Sequence, residues 1–270
     1  MPSALALSVA TSPLVLPGHA PMPLRMHGHR RGTATLPLVL HLHGGAFTGG
    51  DLDSGECLAR MLEGAGAVVV SVAYPLAPAH PFPQSVEAVY AALVWLQRNR
   101  RRLAGTAAPL FLAGEEAGGN LAAATALMAR DRAEVDVAGT ILVTPMLDPC
   151  TASASQRATM GEHVQCKWSD GWQRYLRSPM HAELPDAVPA YARRLACLPP
   201  TLVLAGEDDP MRDEAMAFAQ RLQQAGVAVR TSLIPATGWP GSLESTQAPC
   251  PCALRVRGEL AAFLNAPTPP

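Results

Sequence analysis

Apolar residues fall into short continuous runs separated by segments with helical spacing. Leu36 to His43 (LPLVLHLH) and Ala67 to Tyr74 (AVVVSVAY) are nearly unbroken apolar stretches. Runs of this length, the second rich in β-branched residues, predict strands buried on both faces. Pro109 to Gly114, Thr140 to Met146, Pro200 to Gly206 and Val229 to Pro235 repeat the pattern. Residues 4–9 and 23–29 predict two opening strands joined by a Pro/Gly turn at 17–22. Between the runs, Val86, Val89, Tyr90, Leu93 and Leu96 recur at the i, i+3, i+4, i+7 interval of an amphipathic helix. Leu121 to Met128 is apolar around its circumference, which predicts a buried helix. Arg212 to Ala225 is amphipathic, and Gly226 fits the position just past a helix end. Residues 252–265 predict a closing helix.

Strands alternating with helices predict an α/β fold. Its mostly parallel sheet of about eight strands would be wound by right-handed crossovers, with helices on both faces. At 270 residues the chain reads as one domain, 1–270. Residues 147–199 break the rhythm; they hold Trp168, Trp172, Tyr175 and Tyr191 among small residues. The stretch is too long for a plain loop and predicts a lid insertion with short helices of its own. Beside the strand carboxyl ends it would cover the active-site crevice. Its aromatics either anchor the insertion or line a pocket. Trp168, Trp172 and Trp239 are the candidate substrate contacts.

Composition narrows the partners. The chain is 49% hydrophobic and 16% charged with net charge −1, so it can bury a large core and carries no basic patch suited to nucleic acid. Lys167 is its single lysine, which reads as genome composition. No window reaches the length of a transmembrane helix. Met1 to Leu16 lacks a positive leading region and reads as strand rather than signal peptide. The six cysteines show no disulfide spacing, so reduced thiols in a cytoplasm are expected, with Cys250 and Cys252 an incidental surface pair. No metal site is expected.

Candidate chemistry centres on Leu112 to Leu121, LAGEEAGGNL, where a strand runs through Gly114-Glu115-Glu116-Ala117-Gly118 into an Ala-rich helix. This is the G-x-S-x-G frame of a nucleophile elbow with Glu116 at its tip. Three further motifs accompany it: His41 to Phe47 (HLHGGAF), Tyr74 to Pro83 (YPLAPAHPFP), and Leu198-Pro199-Pro200 with Asp209 to Glu214 (DPMRDE). Together they resemble the hormone-sensitive-lipase-like branch of the α/β-hydrolases, across roughly residues 36–226.

The resemblance implies carboxylesterase chemistry on short acyl esters, without metal or organic cofactor. It also implies a nucleophile, an acid and a base in the chain order Ser, Asp, His. It places the oxyanion-hole N–H groups at Gly44, Gly45 and Ala117, and the orienting acid at Asp209, with Asp208 and Asp213 nearby. Only 42 residues precede His43, so the cap would be built mainly from 147–199. Related enzymes often dimerise, and a homodimer is an assembly the resemblance allows.

Two positions depart from the family pattern. Glu116 replaces the serine. Pro240 stands near the expected base, and no histidine follows His181. His163 and His181 lie in the insertion, from which a histidine could reach the site from above. Because triad members act as a unit, losing them costs on the order of 10⁶ in kcat. Three readings stay open: a non-hydrolytic protein that binds a small molecule or a protein, an enzyme using Glu116 for elimination or isomerisation, and a weak carboxylic-ester hydrolase. A carboxylate at a helix N-terminus suits an anion cradle. Glu116 is therefore expected to fold into the oxyanion hole or to pair with an arginine.

Overall fold

The computed structural model describes residues 11–160, 167–235 and 251–266. Eight strands form one sheet in the order β1-β2-β4-β3-β5-β6-β7-β8. They are β1 (Thr11–Leu14), β2 (Met22–His27), β3 (Leu38–Leu42), β4 (Val68–Val72), β5 (Leu110–Glu115), β6 (Gly139–Val143), β7 (Thr201–Gly206) and β8 (Val229–Ile234). β1 and β2 pair antiparallel, as do β2 and β4; every other neighbour is parallel. The expected α/β-hydrolase sheet is thus present.

The apolar runs fill both faces of the sheet by simple alternation. Leu38, Leu40, Leu42, Val68, Val70 and Val72 point into one core. That core is closed by α2 (Gln84–Leu103), α3 (Ala117–Arg132) and α6 (Arg212–Gln224). Val39, Val69, Phe111, Ala113, Ile141 and Val143 point into the other, closed by α1 (Glu56–Gly64) and α7 (Pro251–Leu264). In-register pairing of Leu40 with Val70 and of Val39 with Val69 keeps each face continuous.

The expected strand at 4–9 lies outside the described residues, and the first described strand is β1. Two features depart from the sequence reading. The helix α1 carries no long apolar stripe, only Leu58, Ala59, Met61 and Leu62, too few for periodicity to announce it. Cys252 is buried in the second core and disulfide-bonded, not a reduced surface thiol. Its strand-facing position on α7 explains the burial. Cys150 and Cys197 are free thiols.

The interval 147–199 contains α4 (Ala154–Met160) and α5 (Lys167–Leu176), then 3-10 turns at Pro179–Glu183 and Pro189–Tyr191. Gly171, Trp172, Tyr175 and Leu176 form the buried stripe of α5. Phe47 stacks on Tyr175 with ring centroids 4.1 Å apart, and Trp172 tilts against Phe47 at 4.9 Å. A Cβ at Gly171 would meet the Ala46 carbonyl at 2.2 Å, so glycine is what lets α5 lie directly on the turn after β3. That contact brings the first residues of α5 over the carboxyl end of β5.

Among the described residues, no helix is long and apolar enough to cross a membrane, and no group of three or more His, Cys, Asp or Glu could hold a metal ion.

Candidate functional site

β5 ends in a sharp turn, and Glu116 sits at its tip with φ 52° and ψ −116°. This backbone conformation is unfavourable for a residue with a side chain and persists only where the surroundings enforce it. Three hydrogen bonds do so. The Glu116 N–H donates to the Val143 carbonyl at 3.1 Å, and the Glu116 carbonyl accepts from Asn120 at 3.2 Å and Met146 at 2.9 Å. Glycine supplies the space: a Cβ at Gly114 would meet the Gly118 carbonyl at 2.2 Å, and one at Gly118 would meet the Leu42 carbonyl at 2.2 Å. The elbow and the end of β3 are therefore pressed backbone to backbone.

The turn after β3 forms the other wall. Gly45 has φ 114°, and Ala46 and Phe47 also lie at positive φ. His43 stacks on Tyr74 with centroids 4.4 Å apart, and its Nδ1 lies 2.7 Å from the Gly44 carbonyl. The Tyr74 hydroxyl donates to the His43 carbonyl at 2.8 Å. Burial lowers the His43 pKa, against the Gly44 carbonyl that raises it. Burial pushes His41 further, to about 3. Both rings are neutral scaffold near neutral pH.

Between these walls lies the Glu116 carboxylate. Its Oε2 accepts from the Gly45 N–H at 2.6 Å. Its Oε1 accepts from the Trp168 indole Nε1–H and stands 3.1 Å from the Lys167 ammonium. The carboxylate thus lies against the expected oxyanion turn, and its cationic partner is the chain's one lysine rather than an arginine. Burial opposes ionisation of Glu116, but Lys167, the Gly45 amide and the Trp168 indole outweigh it, and its pKa falls below the ordinary glutamate value. A Cβ at Gly44 would sit 3.0 Å from Oε2, so that glycine also keeps the cradle open to the carboxylate. Ala117 is buried as the first residue of α3.

Asp209 follows β7 and is 2% exposed. Its Oδ1 accepts from the Met211 N–H at 2.8 Å, whereas Oδ2 has no hydrogen-bond partner among the described residues. Burial pushes its pKa up to about 7; backbone hydrogen bonds at Met211 and Gly206 oppose this, and the charges of Asp208 and Glu116 add to it. Glu214, on α6, accepts from the Asp148 N–H at 2.8 Å and is raised by burial to about 8. Asp213 accepts from the Ser155 N–H at 2.8 Å and holds the start of α4.

The structure brings Glu116, Gly44, Gly45 and Trp168 together. It separates Trp172, one helical turn along α5, which is buried against Phe47 and Tyr175 as an anchor of the helix. Trp239, Pro240 and His163 lie outside the described residues. His181 is tied by Nδ1 to the Leu176 carbonyl and packs on Phe82 at 5.3 Å, so its ring serves the 3-10 turn. Lys167 was not anticipated as a site residue; its being the only lysine was the available signal.

A sharp glycine-framed elbow after β5, facing a glycine turn after β3 on a parallel sheet, defines an α/β-hydrolase. A family model for the alpha/beta hydrolase fold matches residues 39–238, and the chain belongs to that family. Carboxylic ester hydrolase LipN of Mycobacterium tuberculosis is 36% identical over 234 residues, covering 83% of this chain and 62% of LipN. Carboxylesterase NlhH of the same species is 34% identical over 229 residues, covering 81% of this chain and 70% of NlhH. The hyperthermophilic esterase of the archaeon Pyrobaculum calidifontis superposes with a TM-score of 0.85 at 31% identity, over 95% of this chain and 85% of that one. The homologues of this chain are carboxylesterases.

Proposed function

We propose that this chain is a triad-deficient member of the hormone-sensitive-lipase-like branch, binding a small molecule or a protein without hydrolysing esters. The observation that carries the reading is the hydrogen bond from Gly45 N–H to Glu116 Oε2 at 2.6 Å. In an esterase that N–H would stabilise the negative oxygen of a tetrahedral intermediate. Here a carboxylate of the chain itself already draws on it. Glu116 is also held ionised by Lys167 and Trp168, which stabilises it as an anion and weakens it as a nucleophile and base. The sequence adds that no histidine follows His181 to activate water. In this reading α4 and α5 act as the lid, latched to the elbow through Lys167 and Trp168.

A second reading keeps catalysis. Asp209, raised to about 7 with an Oδ2 that has no partner among the described residues, is suited to move a proton near neutral pH in an elimination or isomerisation. The ester hydrolysis for which LipN and NlhH are named is the third reading.

Hydrolysis of p-nitrophenyl acetate and butyrate separates the ester-hydrolase reading from the other two. The wild type and Glu116→Ser are expected to be inert, and Glu116→Ser with Pro240→His to gain turnover by about 10³-fold or more, as triad members act together. Wild-type turnover that vanishes in Asp209→Asn but survives in Glu116→Ala would overturn the binding reading.

A further inference from the structure

We propose that the elbow is an ammonium-binding site, in which a protonated organic amine takes the place of Lys167 against Glu116 and the Trp168 ring. The inference deepens the binding reading above and rests on it, because Glu116 must persist as a fixed anion rather than act as a nucleophile.

Lys167 shows what the site accepts. Its ammonium stands 3.1 Å from Glu116 Oε1 and 4.8 Å from the centre of the Trp168 ring. A carboxylate and an aromatic face converging on one point make a cation site, and the indole is the strongest such face among the side chains. The cation now present is a loose occupant. The Lys167 side chain is 65% exposed, whereas that of Glu116 is 17% exposed. Lys167 opens α5, so its side chain can swing into water without disturbing the buried stripe of Trp172 and Tyr175 below it.

The alternative, an anionic ligand in the oxyanion cradle, meets a higher obstacle. The Glu116 carboxylate would first have to leave, giving up the Gly45 amide, the Trp168 indole and the Lys167 ammonium together. A displaced carboxylate would remain beside the incoming anion. Its field already bears on Asp209 and Tyr74, each of which it makes harder to ionise. Among the described residues Lys167 is the cation that meets Glu116, so an anion would enter beside a carboxylate whose field already reaches the buried Asp209. A cation enters by exchanging with one exposed ammonium, and the charge of the site is conserved.

The test is isothermal titration calorimetry at fixed ionic strength with three probes of one size: n-butylammonium chloride, butan-1-ol and sodium butyrate. Wild type, Glu116→Gln and Lys167→Met are compared, with circular dichroism confirming that each is folded. The wild type is expected to bind butylammonium about tenfold or more tightly than butanol or butyrate, and Glu116→Gln to lose that preference. Lys167→Met is expected to strengthen butylammonium binding by about three- to tenfold, because it removes the tethered competitor. That gain of affinity could not come from a variant that merely misfolds. Butyrate binding as tightly as butylammonium, no detectable butylammonium binding, or Lys167→Met binding it no better than wild type would overturn the proposal. Butanol binding without any ammonium preference overturns the cation inference alone, whereas ester turnover by the wild type overturns the non-hydrolytic reading.

Discussion

The two sides of the elbow meet buried carboxyl groups differently. On the side of β3 and β5, three donors converge on one carboxylate: the Gly45 amide, the Trp168 indole and the Lys167 ammonium. On the side of β7, buried carboxyls are only half satisfied. Asp209 Oδ2 and Glu214 Oε1 have no partner among the described residues, and burial raises both groups far above their ordinary values. The turn after β3 offers a backbone N–H, which a carboxylate at the elbow can satisfy. Asp209 accepts through one oxygen among the described residues, and the Glu116 carboxylate adds repulsion to it rather than a partner.

The elbow is most tightly constrained at Gly118. Gly118→Val would force a side chain into the Leu42 carbonyl, which lies 2.2 Å from a Cβ at that position. Backbone cannot yield there as a flexible side chain could. A loss of about 3 kcal/mol or more is expected in urea unfolding, at the upper end of overpacking effects. A loss below about 1 kcal/mol would show that the elbow is not pressed against β3 as described.

The β7 side should reveal itself through pH. The folded-state pKa of Asp209 is about 7 against an ordinary 3.8, so the folded chain holds the proton more tightly than the unfolded one. Stability from this group is full at low pH and falls as pH rises from about 4 through about 7. Glu214, raised to about 8, acts in the same direction. Glu116, lowered, acts oppositely and only at acid pH, where its protonation costs stability. Asp209→Asn is therefore expected to reduce the stability difference between about pH 5 and pH 8 by about 2 kcal/mol, read from urea midpoints at both pH values. An unchanged slope would mean that Asp209 is not the buried acid responsible.

The smallest effect tests the elbow backbone. Because Glu116 has φ 52° and ψ −116°, Glu116→Gly is expected to be about 1 kcal/mol more stable than Glu116→Ala, both lacking the carboxylate. Equal thermal stability of the two variants would place the strain elsewhere.

Much of this architecture is legible in the sequence. β3 and β4 were legible because two-sided burial demands unbroken apolar runs, which LVLHL and VVVSV supply. Short α1 was not, since four buried positions within nine residues do not establish a period. The site divided in the same way. Glycine spacing fixed the elbow and its facing turn, because only glycine tolerates those backbone contacts. Trp168 and Trp172 were alike as letters on one helix. Four residues is a little over one turn, yet one indole reaches Glu116 while the other is packed under the helix. The disulfide at Cys252 also escaped the cysteine spacing.

By itself, the sequence determined the sheet, the elbow, the identity of Glu116 at its tip and the lack of any histidine beyond His181. These are properties of local pattern and of letters at fixed positions. Only the tertiary structure decided what the glutamate does with its charge. Gly171 lets α5 rest on Ala46, and that contact carries Lys167 and Trp168 across 51 and 52 positions of chain to the carboxylate. Covalent order places no constraint on such a meeting; it follows from the packing of one helix stripe against Phe47 and Tyr175's neighbours in the core.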